Sequence, residues 1–93
     1  MATDIDSFIH CGTKQGDFFL IFEFKAAGVP VPLGQKIALK ALERNLTNAT
    51  VVVIFGPDTK NKYLVTGGWA GLWTEQKLID RVAKWWKDHK ETT

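Results

Sequence analysis

Phe18-Phe19-Leu20-Ile21-Phe22-Glu23-Phe24-Lys25 is apolar for five residues and then sets two opposite charges two positions apart. A run of that length, rich in aromatic and β-branched residues and apolar on both sides, predicts a strand in the middle of a sheet. Side chains alternate along a strand, so Glu23 and Lys25 share one face while Phe22 and Phe24 take the other. Charges in such a strand are costly to bury without a partner or a task. The octapeptide therefore predicts both the centre of the fold and a candidate site.

Working upstream, residues 4–11 alternate, with Ile5 and Ile9 on one side and Asp4, Asp6, Phe8 and His10 on the other. Between the two runs, Cys11-Gly12-Thr13-Lys14-Gln15-Gly16-Asp17 is polar and bracketed by glycine, as a hairpin loop requires. A hairpin centred between Lys14 and Gln15 sets Asp6 opposite Glu23 and Asp4 opposite Lys25. Directly opposed side chains lie ~5 Å apart. Two carboxylates at that spacing suit one divalent ion, and a lysine beside them suits a reaction in which charge develops on a phosphate. A slip of one residue in register would undo the arrangement. His10 shares the face of Asp6 but lies ~13 Å along the strand, which favours a structural role.

Downstream, the prolines of Ala26-Ala27-Gly28-Val29-Pro30-Val31-Pro32 make a connector. Gly34-Gln35 opens a helix to about Asn45, with Ile37, Ala38, Ala41, Leu42 and Leu46 as its apolar face. Residues 49–55, Ala-Thr-Val-Val-Val-Ile-Phe, read as a fully buried strand. After a turn at 56–61, residues 62–66 form a shorter strand and 67–71 a loose glycine-rich stretch. Thr74 caps a last helix over 75–89, whose Leu78, Ile79, Val82, Trp85 and Trp86 make the apolar face. Trp85 and Trp86 are adjacent and cannot both point at one core line, and Trp85 is the one expected in the core. The order strand-strand-helix-strand-strand-helix predicts an α/β fold on a mixed central sheet, with 1–93 as a single domain.

Composition sets wide bounds. The 93 residues are 45% hydrophobic and 24% charged, as in an ordinary globular chain rather than a disordered one. A net charge of +2 points only weakly to polyanions. The single cysteine, Cys11, excludes an intrachain disulfide. With no apolar run of membrane-spanning length and no leader-like start, the expected location is the cytoplasm. No phosphate-cradling glycine loop, serine–histidine–aspartate signature or zinc spacing is present.

The acidic strand, the hairpin, Glu23-x-Lys25 and the helix start Leu33-Gly34-Gln35 resemble the PD-(D/E)XK nuclease superfamily, in particular its small phage-type and VRR-NUC-like members. The resemblance spans about residues 3–56. It implies a restriction-endonuclease-like core and a magnesium- or manganese-dependent endodeoxyribonuclease acting on branched or duplex DNA. Asp6 takes the place of the motif aspartate, with Glu23 and Lys25 at the Glu-x-Lys positions and Gln35 as the following glutamine. Asp6 and Glu23 would be metal ligands, Lys25 the water-positioning and charge-stabilising group, and Gln35 a supporting group. Three departures stand out. Ile5 or Thr3 stands where the motif proline would be, no helix precedes the aspartate as it does in many relatives, and the chain is short for this fold. A homodimer is expected on that last ground, in host cytoplasm if the protein is phage-encoded.

Lys14, Lys36, Lys40 and Arg44 are candidate contacts to a nucleic-acid backbone, against the alternative of a solvated surface. Trp69 and Trp73, set among glycines, are expected as exposed rings at a partner interface, against the alternative of core filling. Two rival readings stand beside the nuclease. One is a catalytically inactive nuclease-fold interaction protein, such as a phage inhibitor of a host defence protein, and the other a plain DNA-binding module.

Overall fold

The computed structural model describes residues 7–46 and 48–90. Seven elements follow in order: β1 (Ser7–Thr13), β2 (Gly16–Lys25), α1 (Leu33–Asn45), β3 (Ala49–Phe55), β4 (Lys62–Gly67), β5 (Gly71–Thr74) and α2 (Glu75–Lys90). The strands form one five-stranded mixed sheet in sequence order, with a helix on each face. β1–β2, β3–β4 and β4–β5 are antiparallel, and β2–β3, joined through α1, is the parallel pair. The α/β class and the mixed sheet are those expected.

The hairpin register is also the expected one: Ser7 pairs with Phe22 and Thr13 with Gly16, around a turn at Lys14 and Gln15. Asp4 and Asp6 lie outside the described residues.

Alternation along β2 sends its residues into two cores. Leu20 and Phe22 join Cys11, Val52, Ile54, Val65 and Trp69 beneath Leu78 and Trp85 of α2. Ile21 joins Val51 and Val53 beneath Leu39 of α1, with Leu42 and Leu46 packed around them. β2 and β3 are thus apolar on both sides because both sides are covered.

Each helix departs from expectation at one apolar residue, Ile37 in α1 and Ile79 in α2. The sheet-facing line of α1 runs through Gln35, Leu39, Leu42 and Leu46, while Ile37 is 59% exposed. In α2, Leu78, Val82 and Trp85 face the core and Trp86 faces outward, as its adjacency to Trp85 requires, while Ile79 is exposed. The start of α2 is capped as the sequence indicates, by Lys77 N–H donating to Thr74 Oγ1 at 3.2 Å.

The stretch read as loose contains β5. Gly67 ends β4 at φ +93° with its Cα against the Val51 carbonyl, and Gly68 N–H donates to that oxygen at 3.0 Å. This tight passage reverses the chain, so that Leu72 pairs with Leu64 and Trp73 with Tyr63.

Candidate functional site

Strand parity places Glu23 and Lys25 on the α1 face of the sheet, in line with Phe19 and Ile21. The site lies where β2 ends beside β3, with Glu23 paired to Val53 and Lys25 to Phe55. The carboxyl ends of parallel strands are common places for ligands in such sheets. The connector then lets α1 start over this end of the sheet, and its third residue, Gln35, points down at Glu23.

Glu23 is 4% exposed, and it is the buried charged residue among the described ones. Its Oε1 receives two groups: Gln35 Nε2 donates at 2.5 Å, and Lys25 Nζ lies 3.4 Å away. Its Oε2 is buried with no hydrogen-bond partner among the described residues, and so is Gln35 Oε1. Both atoms are oxygen acceptors for which the described residues provide no donor. Buried polar atoms in proteins are nearly always satisfied, so a pair of orphaned oxygens on one hydrogen-bonded couple is unusual. A hard cation such as magnesium, which prefers oxygen ligands, fits that donor set.

Among the described residues, no three histidine, cysteine, aspartate or glutamate side chains cluster as a metal site. The described part of the site therefore supplies one carboxylate, one amide oxygen and one ammonium. Asp6, the second expected ligand, lies outside the described residues.

The four basic candidates do not gather at one place. Lys36 and Lys40 border an open cleft of about 930 Å³ between α1 and the β3–β5 side of the sheet, floored by Val51, Val53, Phe55 and Leu72. Arg44 is exposed one turn beyond Lys40, near the end of α1. Lys14 sits in the β1–β2 turn, at the end of β2 away from Glu23. His10 stacks on Phe19 at 5.1 Å and its Nε2 meets Asp17 Oδ1 at 2.7 Å, a surface pair apart from Glu23.

The expectation of exposed Trp69 and Trp73 rings is corrected. Trp69 is 6% exposed inside the α2-side core, and Trp73 is half-buried with its Nε1–H donating to Trp69 O at 2.9 Å. The two indoles brace the passage between β4 and β5. The exposed tryptophan is Trp86, and the large exposed aliphatics on the α1 face are Leu64 and Leu72.

Two features escaped sequence reading. The cleft arises because a single helix cannot cover five strands, which no local pattern announces. The basic row Lys77, Arg81 and Lys84, spaced four and then three residues along α2, was visible in the sequence as one helix side. No helix among the described residues is long and apolar enough to cross a membrane. No family model, no curated protein and no solved structure matches the chain.

Proposed function

We propose that the chain is a metal-dependent endodeoxyribonuclease of the PD-(D/E)XK type, built on a restriction-endonuclease-like core. The observation that carries this reading is the buried Glu23 carboxylate, held through Oε1 by Gln35 and Lys25 while Oε2 has no partner among the described residues. Magnesium or manganese, when bound, would neutralise phosphate charge and favour ionisation of water at neutral pH. Glu23 Oε2 holds the ion, with Asp6, the residue before Ser7, as the second carboxylate. Gln35 fixes the carboxylate so that its free oxygen keeps one direction. Lys25, 21% exposed at its side chain, orients the attacking water and offsets the charge that grows on the phosphate oxygens. Lys36 and Lys40, on the same helix as Gln35, receive the DNA backbone, in a cytoplasmic protein acting as a homodimer.

A second reading is favoured by the exposed Leu33, Leu64 and Leu72, each more than half accessible. It keeps the fold and uses these surfaces to hold a partner without turnover.

Cleavage of labelled linear, nicked and branched DNA, with and without magnesium or manganese, separates the two. The nuclease cuts at least one substrate, stops on chelation, and fails in a folded Lys25→Ala variant. A folded protein that cuts none of them is not a nuclease. Steeply salt-dependent binding without cutting would then mark a plain DNA-binding module.

A further inference from the structure

On the opposite face of the sheet, the Arg81 guanidinium lies over the buried Trp69 ring, 4.6 Å from its centroid. Its Nη1 is shut off from solvent and has no acceptor among the described residues. The guanidinium is therefore held by the ring alone at that nitrogen, and turning it towards a new acceptor breaks no hydrogen bond there. Arg81 lines a recess of about 220 Å³ with Trp73, Lys77, Asp80 and Lys84.

Charge in the recess is unbalanced. Asp80 is its single carboxylate, and Oδ1 of that group accepts from Gln76 Nε2 at 2.9 Å. Lys84 Nζ reaches Asp88 Oδ2 at 2.6 Å, on an exposed pair that a competing anion can open at little cost. The Trp73 N–H is committed to Trp69 O, so its ring, not its donor, faces a ligand.

We propose that this recess binds a phosphoryl oxyanion. The Arg81 fork takes two oxygens, Lys77 and Lys84 neutralise the rest, and the Trp73 ring walls the group carrying the phosphate. The ligand is a phosphodiester of a nucleic-acid backbone or a free phosphorylated compound. The site stands on α2-side residues only and does not depend on Glu23.

The test is a titration of the folded protein with pyrophosphate at constant ionic strength, following the indole and Arg81 side-chain signals by nuclear magnetic resonance. Saturable shifts should be confined to Trp69, Trp73, Lys77, Arg81 and Lys84. Arg81→Lys, which keeps the charge over Trp69 but loses the fork, should weaken binding about tenfold or more. Lys77→Gln with Lys84→Gln, both exposed changes, should do the same without touching the core. Lys25→Ala should bind as wild type, whatever it does to cleavage. A parallel titration with a short single-stranded oligonucleotide identifies the source: tighter binding than pyrophosphate indicates the backbone, and pyrophosphate binding alone a free phosphorylated ligand. Absence of saturable shifts with either probe, shifts centred elsewhere, or wild-type affinity in both variants would overturn the site.

Discussion

Gln35 and Glu23, twelve residues apart in the chain, are joined by one hydrogen bond from the helix amide to the strand carboxylate. That bond, with Lys25 on the same oxygen, leaves the carboxylate with one satisfied oxygen and one that meets no donor among the described residues.

Glu23→Gln removes the buried charge at nearly constant volume. In chelator the variant should melt a few degrees below wild type, a loss of about 1 kcal/mol or more, because the largely buried Lys25 ammonium loses its carboxylate. Magnesium or manganese should raise the wild-type melting temperature and leave that of the variant unchanged. Thermal melts with and without metal read both effects, and equal metal shifts in the two proteins would remove Glu23 from the site.

Gln35→Ala frees Oε1 from its donor and leaves the carboxylate to Lys25. Cutting should fall by about tenfold to a hundredfold, less than for Lys25→Ala, with circular dichroism unchanged. An unchanged rate at saturating metal would reduce Gln35 to a packing residue.

Trp85 and Trp86 are neighbours in sequence with opposite fates, 3% and 42% exposed. Trp85→Ala should cost about 3–5 kcal/mol, a large part of the stability of a domain this size. Trp86→Ser should stay within about 0.5 kcal/mol of wild type. Urea unfolding of both variants checks the contrast, and similar costs would mean that Trp86 is covered in solution.

Gly67→Ala forces a Cβ into the Val51 carbonyl from a left-handed backbone. The expected loss is about 2 kcal/mol or more, measured by the same unfolding curves. Gly28, also at positive φ but with open space around it, should tolerate alanine better.

Asp58 accepts from the backbone N–H groups of Lys60 and Lys62 at 2.8 and 2.9 Å, and chiefly these bonds hold its carboxyl below the ordinary value of 3.8. A depressed folded-state value gives stability that is complete above the unfolded value and fades as pH falls through the folded one. Asp58→Asn should therefore melt below wild type at neutral pH, and the gap should close in acid as pH falls through the lowered folded-state value. A gap that persists in acid would assign the effect to the turn's shape rather than to charge.

Much of the architecture was legible because several signals agreed. The glycine-bracketed loop and the alternation on either side predicted the β1–β2 register residue for residue. Helix phase was less legible. Ile37, Ala38 and Leu39 are consecutive, so periodicity fits more than one face. The inward line also contains Gln35, a polar residue that looks like a surface one until Glu23 is placed beneath it. β5 was hidden because its four residues follow two glycines and its pairing with β4 is tertiary. The tryptophans among those glycines looked exposed for the same reason. Of the candidate site, Glu23, Lys25 and Gln35 come together as a unit, whereas Lys14 lies in the β1–β2 turn at the other end of β2.

The parallel seam between β2 and β3 also orders assembly. β1–β2 closes around a two-residue turn, and β3, β4 and β5 follow one another by reversals, so each half is built from local contacts. Only the seam must wait for residues 26–48 to be gathered and α1 to be laid across them, which is the slower closure. Glu23 belongs to the first half and Gln35 to the element that spans the gap. Hydrogen exchange in the native state should find the two halves opening along this line, with the carboxylate and its amide separating in the same event. Competence to hold a ligand there would then arrive in the last step of folding and be the first property lost on unfolding.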